Sequence, residues 1–287
     1  MKGIILAGGS GTRMYPLTIS TSKQLLPIYD KPMIYYPLSI LMLSQIREIL
    51  IISTPYDLPR YEKLFGNGHQ LGMDISYLVQ EKPNGLAEAF IIGEKFIGDD
   101  DVTLILGDNI FYGNQLSVIL RNAINGNEGA TIFAYHVKDP QRFGVVEIDD
   151  KNNIISLEEK PSNPKSNLAI TGLYFFDNDV VNFSKLLKPS KRNEIEIVDL
   201  LNRYRKKNRL KAEFLGRGGS WLDTGSIEDF YNTSAFVSTL ENRQGFKIAC
   251  LEEIAFKNNW INKKDIREAI TFYGNCIYSN YLKKIIQ

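Results

Sequence analysis

Histidine and cysteine are scarce in this chain, with two of each in 287 residues. Cys250 and Cys276 follow no metal-binding or redox spacing, and so few thiols suit a reduced, cytoplasmic setting. With only His69 and His136 available, a histidine-built zinc site or a Ser-His-Asp triad finds no support. Charge excess is also missing. The 34 Lys and Arg offset 33 Asp and Glu, so nothing calls for nucleic acid and no acidic tail points to disorder. No apolar run approaches the roughly 18 residues of a membrane span. The opening run Ile4-Ile5-Leu6-Ala7 is too short for a signal peptide. Repeats, low-complexity tracts and linkers are absent.

What is present is a rhythm. Nearly continuous apolar runs at 2–7, 48–53, 75–79 and 102–106 read as buried strands. Between them lie helical patterns: one from Pro32 to Ser44, one opening at Pro59, one over 86–97, and one that Asn114 would cap. This β-α-β-α alternation predicts a three-layer α/β/α domain around a mostly parallel, mixed sheet, Rossmann-like in its layering. From Gly129 the rhythm changes. Strands are expected at 130–135, 145–148, 154–158 and 168–176, with 149–153 as a hairpin turn and a helix over 195–206. After Thr224 the pattern is mainly helical, and Asn262 with Asp265 resembles a helix start. The expected division is an α/β domain over 1–225 and a helical extension over 226–287.

The first strand runs into Gly8-Gly9-Ser10-Gly11-Thr12-Arg13. A dinucleotide fingerprint would need glycine where Met14 stands, which argues against a nicotinamide-dependent oxidoreductase. An ATP-binding P-loop would need Gly-Lys-Ser/Thr. A third template fits: backbone amides wrap a nucleotide's phosphates, and an arginine grips two oxygens while staying charged. Lys23, in Ser22-Lys23-Gln24, would add a second positive charge. Alone, a glycine-rich turn after a strand is a weak signal.

The longer string is specific. GGSGTRMYPLTISTSKQLLPIYDKPMIYYPLS resembles the opening of the sugar-1-phosphate nucleotidylyltransferases. Its SKQLLP variant is most similar to the branch that moves a thymidylyl group from dTTP to glucose 1-phosphate. The resemblance continues in QEKPNGLAEAF (80–90), LGDN (106–109), RFGVVE (142–147), EEKP (158–161), WLDTG (221–225) and TLENRQG (239–245), so it spans the chain in order. It implies a Mg²⁺-dependent reaction giving dTDP-glucose and pyrophosphate, as in the first step towards dTDP-rhamnose and other deoxysugars.

Residue by residue, the resemblance implies a nucleotide site at Gly8, Gly9, Gly11, Thr12, Arg13, Lys23, Gln80, Gly85 and Asp108. Gln80 and Gly85 would read the base, since an amide offers an acceptor beside donors and so matches the N3–H and O4 edge of thymine or uracil. Gly144, Glu159, Lys160, Gly172 and Glu194 would take the sugar phosphate, and Arg13, Lys23 and Lys160 would carry the catalytic charge. Asp108 follows the expected strand 102–106, at the edge where ligands of α/β sheets bind, and Asp223 sits in Trp221-Leu222-Asp223-Thr224-Gly225. Either alone reads as a turn cap, but together with the arginine loop they suit Mg²⁺. Trp221 reads equally as a neighbour of the site or as core. Departures from the family pattern fall at Glu81-Lys82-Pro83-Asn84, at Val198 where threonine is usual, and at Phe143 where tyrosine is common. The resemblance further implies a homotetramer with feedback inhibition by dTDP-rhamnose.

Overall fold

The computed structural model describes residues 1–9 and 11–287. Strands β1 (Lys2–Leu6), β2 (Pro27–Ile28), β3 (Lys31–Pro32), β4 (Glu48–Ser53), β5 (Asp74–Val79), β6 (Val102–Leu106) and β7 (Asn109–Gly113) come from the first half of the chain. β8 (Ala130–His136), β9 (Gly144–Ile148), β10 (Ile154–Glu159), β11 (Leu168–Phe176), β12 (Leu210–Phe214) and β13 (Gly219–Asp223) come from the second. Nine of them form one sheet in the order β10-β9-β11-β6-β1-β4-β5, with β8 on β11 and β12 on β8. The β5-β4-β1-β6 half is parallel, whereas β11 runs antiparallel to β6, β8 and β9. The sheet is therefore mixed, as expected, with four parallel strands in one half and a further parallel pair, β8–β12, in the other.

Helices α1 (Tyr35–Leu43), α2 (Leu58–Phe65), α3 (Glu88–Ile92), α4 (Glu94–Ile97), α5 (Leu116–Asn125), α6 (Asp179–Lys185), α7 (Ile197–Lys206) and α8 (Ile227–Gln244) precede three C-terminal ones, α9 (Leu251–Lys257), α10 (Lys263–Tyr273) and α11 (Ile277–Ile285). Alternating strand residues feed two cores. Ile5, Ile49, Ile51 and Ile105 join α1, α2 and α9 on one face. Ile4, Leu50, Ile52 and Leu104 join α3, α4, α6 and α7 on the other. Burial on both faces is why β1, β4 and β6 read as nearly unbroken apolar runs, whereas the edge strand β5 is half exposed. Helix α1 is apolar all round because it lies between the sheet and α9, and eight of its residues are buried. The C-terminal helices thus complete one outer layer. Glu252 of α9 sits buried there and accepts hydrogen bonds from Tyr273 (2.8 Å) and Tyr278 (2.6 Å).

Two helix expectations need correction. Residues 86–97 form two short helices broken at Gly93, where a Cβ would come within 3.1 Å of Ile4 Cδ1 and 3.2 Å of Leu50 Cδ2. Asn114 does not cap α5. The residue before it is Gln115, with φ 59° and no side-chain cap. Asn262 and Asp265 do form a reciprocal capping box, and 149–153 does turn β9 into β10. Strands β2, β3, β7, β12 and β13 had no counterpart in the sequence pattern. The β7–β13 ladder matters most, because it pairs Asn109 with Asp223.

Candidate active site

The sheet forks where β6 ends. The second half of β11 pairs with β6, while its first half reaches β9 only at Ala169–Val145. A cleft of about 530 Å³ opens in this fork, at the C-terminal end of β6. Asp108, Gly144, Glu159, Lys160, Gly172 and Glu194 line it, as do Arg13, Trp221 and Asp223. A neighbouring cavity of about 200 Å³ is bounded by Gly8, Gly9, Gln24, Gln80, Gly85 and Asp108. A third, also about 200 Å³, adjoins Gly9, Gly11 and Lys23. The residues singled out in the sequence therefore converge on one region, with one exception: Thr12 is exposed on a single 3₁₀ turn and lines none of the three. Residue 10 of the glycine loop lies outside the described residues.

At the centre lie two carboxylates. The β7–β13 register sets Asp223 across from Asn109, next to Asp108. Thr224 locks this corner, its Oγ1 donating to the Asp108 carbonyl at 2.9 Å. Asn109 Nδ2 donates to Asp108 Oδ1 (3.1 Å) and approaches Asp223 Oδ1 (3.5 Å). Lys23 Nζ meets Asp108 Oδ2 at 2.6 Å. Burial alone would push the Asp108 carboxyl up, but the Lys23 ammonium outweighs it and holds this group below the ordinary carboxylate range. Asp223 goes the other way. Burial and then the adjacent Asp108 charge raise it to about 6, against the pull of Lys23 and Arg13. Two neighbouring carboxylates with opposite shifts are a pair that a further positive charge would relieve.

Asn109, within the LGDN stretch, braces the site, a part its local sequence does not reveal. It is 1% exposed, and its Oδ1 accepts from Trp221 Nε1 (2.6 Å) and Gly172 N (2.9 Å). All its polar capacity goes to holding the site together. Gly172 gains a structural reason here, since a Cβ would fall 2.5 Å from Asn109 Oδ1. Trp221 takes both roles considered for it: it is buried, packs edge-on to Phe143 (5.0 Å between centroids), and lines the cleft.

The far wall is ionic. Arg192, Glu194 and Glu196 line it, although neither Arg192 nor Glu196 was singled out in the sequence. Arg192 reaches Glu194 (3.0 Å), Glu159 (3.4 Å) and Glu196 (3.6 Å). Burial raises the Glu159 carboxyl above its usual range, and the Lys160 charge opposes this only in part. Lys160 itself sits at φ 45°, an uncommon conformation for a residue with a side chain, ahead of Pro161. Val198 is buried and forms an apolar wall beside Gly144. Gly85, at φ 110°, lies against Ile195, whose N and O would both be 2.5 Å from a Cβ there. With Ile195 N donating to Asn84 O at 2.6 Å, this contact ties the small cavity to the ionic wall.

The arrangement collects cations, backbone amides and a pair of carboxylates around a cleft with room for a sugar phosphate and a nucleotide. Known proteins resemble it throughout. The chain is 54% identical to glucose-1-phosphate thymidylyltransferase of Neisseria gonorrhoeae over 100% of this chain and 99% of that one. It is 49% identical to the enzyme of the same name from Mycobacterium tuberculosis, again over 100% and 99%. A solved UDP-glucose pyrophosphorylase complexed with UDP-glucose superposes with a TM-score of 0.74 at 27% identity, covering 83% of this chain and 98% of that one. Residues 2–239 match the nucleotidyl transferase family, and with full-length relatives this similar the chain belongs to that family of enzymes.

Proposed function

We propose that this enzyme transfers a thymidylyl group from dTTP to α-D-glucose 1-phosphate, releasing pyrophosphate. The observation that carries the reading is the fork itself: Arg13, Lys23, Lys160, Asp108 and Asp223 meet between a small amide-lined cavity and an ionic one. The full-length likeness to enzymes named for this activity supports it.

In the reaction, a phosphate oxygen of glucose 1-phosphate forms a bond to the α-phosphorus of dTTP. The bond from that phosphorus to the bridging oxygen of the β-phosphate breaks in line, and pyrophosphate leaves with the electron pair. A phosphate monoester is largely dianionic at neutral pH, so no general base is required. What the enzyme must supply is alignment of two anions and neutralisation of their charge. Arg13 serves the triphosphate with a two-point grip, and Lys23 supplies a second charge to it. Lys160 and Arg192 hold the phosphate of the sugar, while Glu159 and Glu194 accept from its hydroxyls. The Gln80 amide and the Gly85 backbone meet the base.

Asp108 and Asp223 fit Mg²⁺. Both are hard oxygen donors, burial and the Asp108 charge raise Asp223 to about 6 despite Lys23 and Arg13, and no third metal-ligating side chain joins them among the described residues. A site with so few protein ligands is typical of Mg²⁺ that shares substrate phosphates. When bound, the ion would neutralise phosphate charge during transfer.

The test is pyrophosphate release across dTTP, UTP and CTP with glucose 1-phosphate and other hexose 1-phosphates, with and without Mg²⁺. The expected result is the fastest turnover with dTTP and glucose 1-phosphate, abolished by chelator. Absence of pyrophosphate with every pair would overturn the reading. The same resemblance extends to a homotetramer inhibited by dTDP-rhamnose. A further cavity of about 480 Å³, bounded by α1, β7, the start of α5 and α9, offers room for such an inhibitor. Light scattering at monomer mass, or rates unchanged by the added compound, would remove these extensions.

A further inference from the structure

Inside the small cavity one side chain has a fixed orientation. Gln80 is 6% exposed at the end of β5. Its Nε2 donates to Glu88 Oε2 at 2.7 Å and lies 3.4 Å from the Gly85 carbonyl. An ionised carboxylate only accepts hydrogen bonds, so the amide must turn its NH₂ towards Glu88. Its carbonyl then points the other way. Gln80 Oε1 lies 3.2 Å from where a Cβ on Gly8 would stand, on the cavity side, and no donor among the described residues engages it. Glu88 is held in turn: its Oε1 accepts from Asn84 Nδ2 at 2.8 Å. Both carboxylate oxygens are thus committed to amide donors.

We propose that Glu88 is the positioning residue that makes this pocket read a pyrimidine carrying a hydrogen at N3. With its NH₂ engaged, Gln80 can offer only an acceptor to the base. Thymine and uracil present an N3–H donor to it. Cytosine presents a lone pair at N3, and two acceptors would face each other in a desolvated pocket. A polar mismatch of that kind discriminates strongly because neither group finds a replacement partner. Glu88 does not touch the base. It removes the alternative amide orientation, which in isolation would be nearly as good for Gln80. The inference rests on the nucleotide reading given above, and it adds which residue sets the choice between thymine or uracil and cytosine.

The test is Glu88→Gln, which keeps shape but can donate as well as accept. Gln80 is then free to turn its amide around. The ratio of kcat/KM for dTTP over dCTP, with glucose 1-phosphate fixed, is expected to fall at least tenfold. Turnover at saturating dTTP should stay within about threefold of wild type, and UTP should follow dTTP. A ratio unchanged within twofold overturns the proposal, as does a fall in kcat alike for both nucleotides, which is what mere loosening of the fold would give. Should Glu88→Gln not fold, Asn84→Ala releases the second Glu88 oxygen. Equilibrium binding of dTDP against dCDP should then lose about threefold in preference, and an unchanged preference overturns the proposal equally. The two levels remain separable. A wild-type enzyme that ignores dTTP sinks the thymidylyl reading and this inference with it, whereas normal dTTP turnover with an unaltered ratio in both variants sinks only the role of Glu88.

Discussion

On the β1–β5 side of the cleft, Gln24, Gln80 and Lys23 are buried and already hydrogen-bonded to neighbouring groups. Gln24 accepts from Ser22, Gln80 donates to Glu88, and Lys23 pairs with Asp108. On the β9–β10 side they are half exposed. The Lys160 and Arg192 side chains are 48% and 45% exposed, and Arg192 divides itself among three carboxylates. The first side has one arrangement before any ligand arrives, because each buried group would be costly to leave unpaired. The second holds long ionic side chains in screened contacts that cost little to exchange. A ligand seated on the first side meets a preset pattern. A ligand on the second replaces existing ion pairs, with Arg192 exchanging carboxylates for phosphate.

The largest effect should come from the seam between these sides. Asp223→Asn is expected to lower kcat/KM by about 10²–10³, since it removes a charge placed for the transition state. The same variant should be more stable than wild type without ligand, by about 1–3 kcal/mol at pH 8. Burial and Asp108 raise the Asp223 carboxyl to about 6, so its ionisation opposes folding. Below its ordinary value of 3.8 the group is protonated, folded or unfolded, and the two proteins should melt alike. The gap should open between that value and about 6, then stay constant. Denaturation at pH 3.5, 5 and 8 checks it. An activity loss without the pH-dependent stability gain would mean that Asp223 is not in strain against Asp108.

Next in size is Arg13→Lys, expected to cost about 10–100-fold in kcat/KM for dTTP, because an ammonium cannot copy a two-point grip. Lys160→Ala should fall on the other side: about a tenfold rise in KM for glucose 1-phosphate, with KM for dTTP nearly unchanged. Steady-state kinetics with each substrate varied in turn would show the split. If Lys160→Ala raised both KM values equally, the division between a preset side and an exchangeable side would break down. Added salt should affect the two sides unequally as well, weakening the exposed contacts more.

The sequence exposed these two sides to different degrees. Strands β1, β4 and β6 were legible because burial on both faces leaves an unbroken apolar run, and the edge strand β5 because its Ile75, Tyr77 and Val79 alternate with more exposed positions. The glycine loop, Gln80 and Asp108 follow directly from their ends. Strands β7 and β13 were not legible, since five-residue segments holding Asn109 and Asp223 carry polar groups the site needs instead of an alternating pattern. The part played by Asn109 depends on Gly172 and Trp221, which lie 63 and 112 residues away. Arg192 and Glu196 sit in a stretch whose composition is that of an exposed charged loop. Contacts remote in sequence, Ile195 N to Asn84 O and Ala87 N to Ile195 O, hold that stretch over the cleft. Local pattern reveals side chains at strand ends and misses those that tertiary pairing delivers.

The smallest expected effect tests the apolar part of the exchangeable side. Val198 is 4% exposed, and its Cγ2 comes within 3.2 Å of a Cβ built on Gly144. Val198→Thr swaps one methyl for a hydroxyl of similar volume. Without ligand that hydroxyl must bond to its own helix or remain unpaired, costing about 1 kcal/mol in stability. With glucose 1-phosphate bound, a sugar hydroxyl would offer it a partner and return part of that cost. The expected outcome is a slightly lower melting temperature together with a two- to threefold lower KM for glucose 1-phosphate. Glucose 1-phosphate and an epimeric hexose 1-phosphate, compared in the same variant, locate the contact. If only one epimer gains, a specific sugar hydroxyl lies against position 198. If both gain alike, the added polarity acts through water instead, and the wall at Val198 takes no part in telling sugars apart.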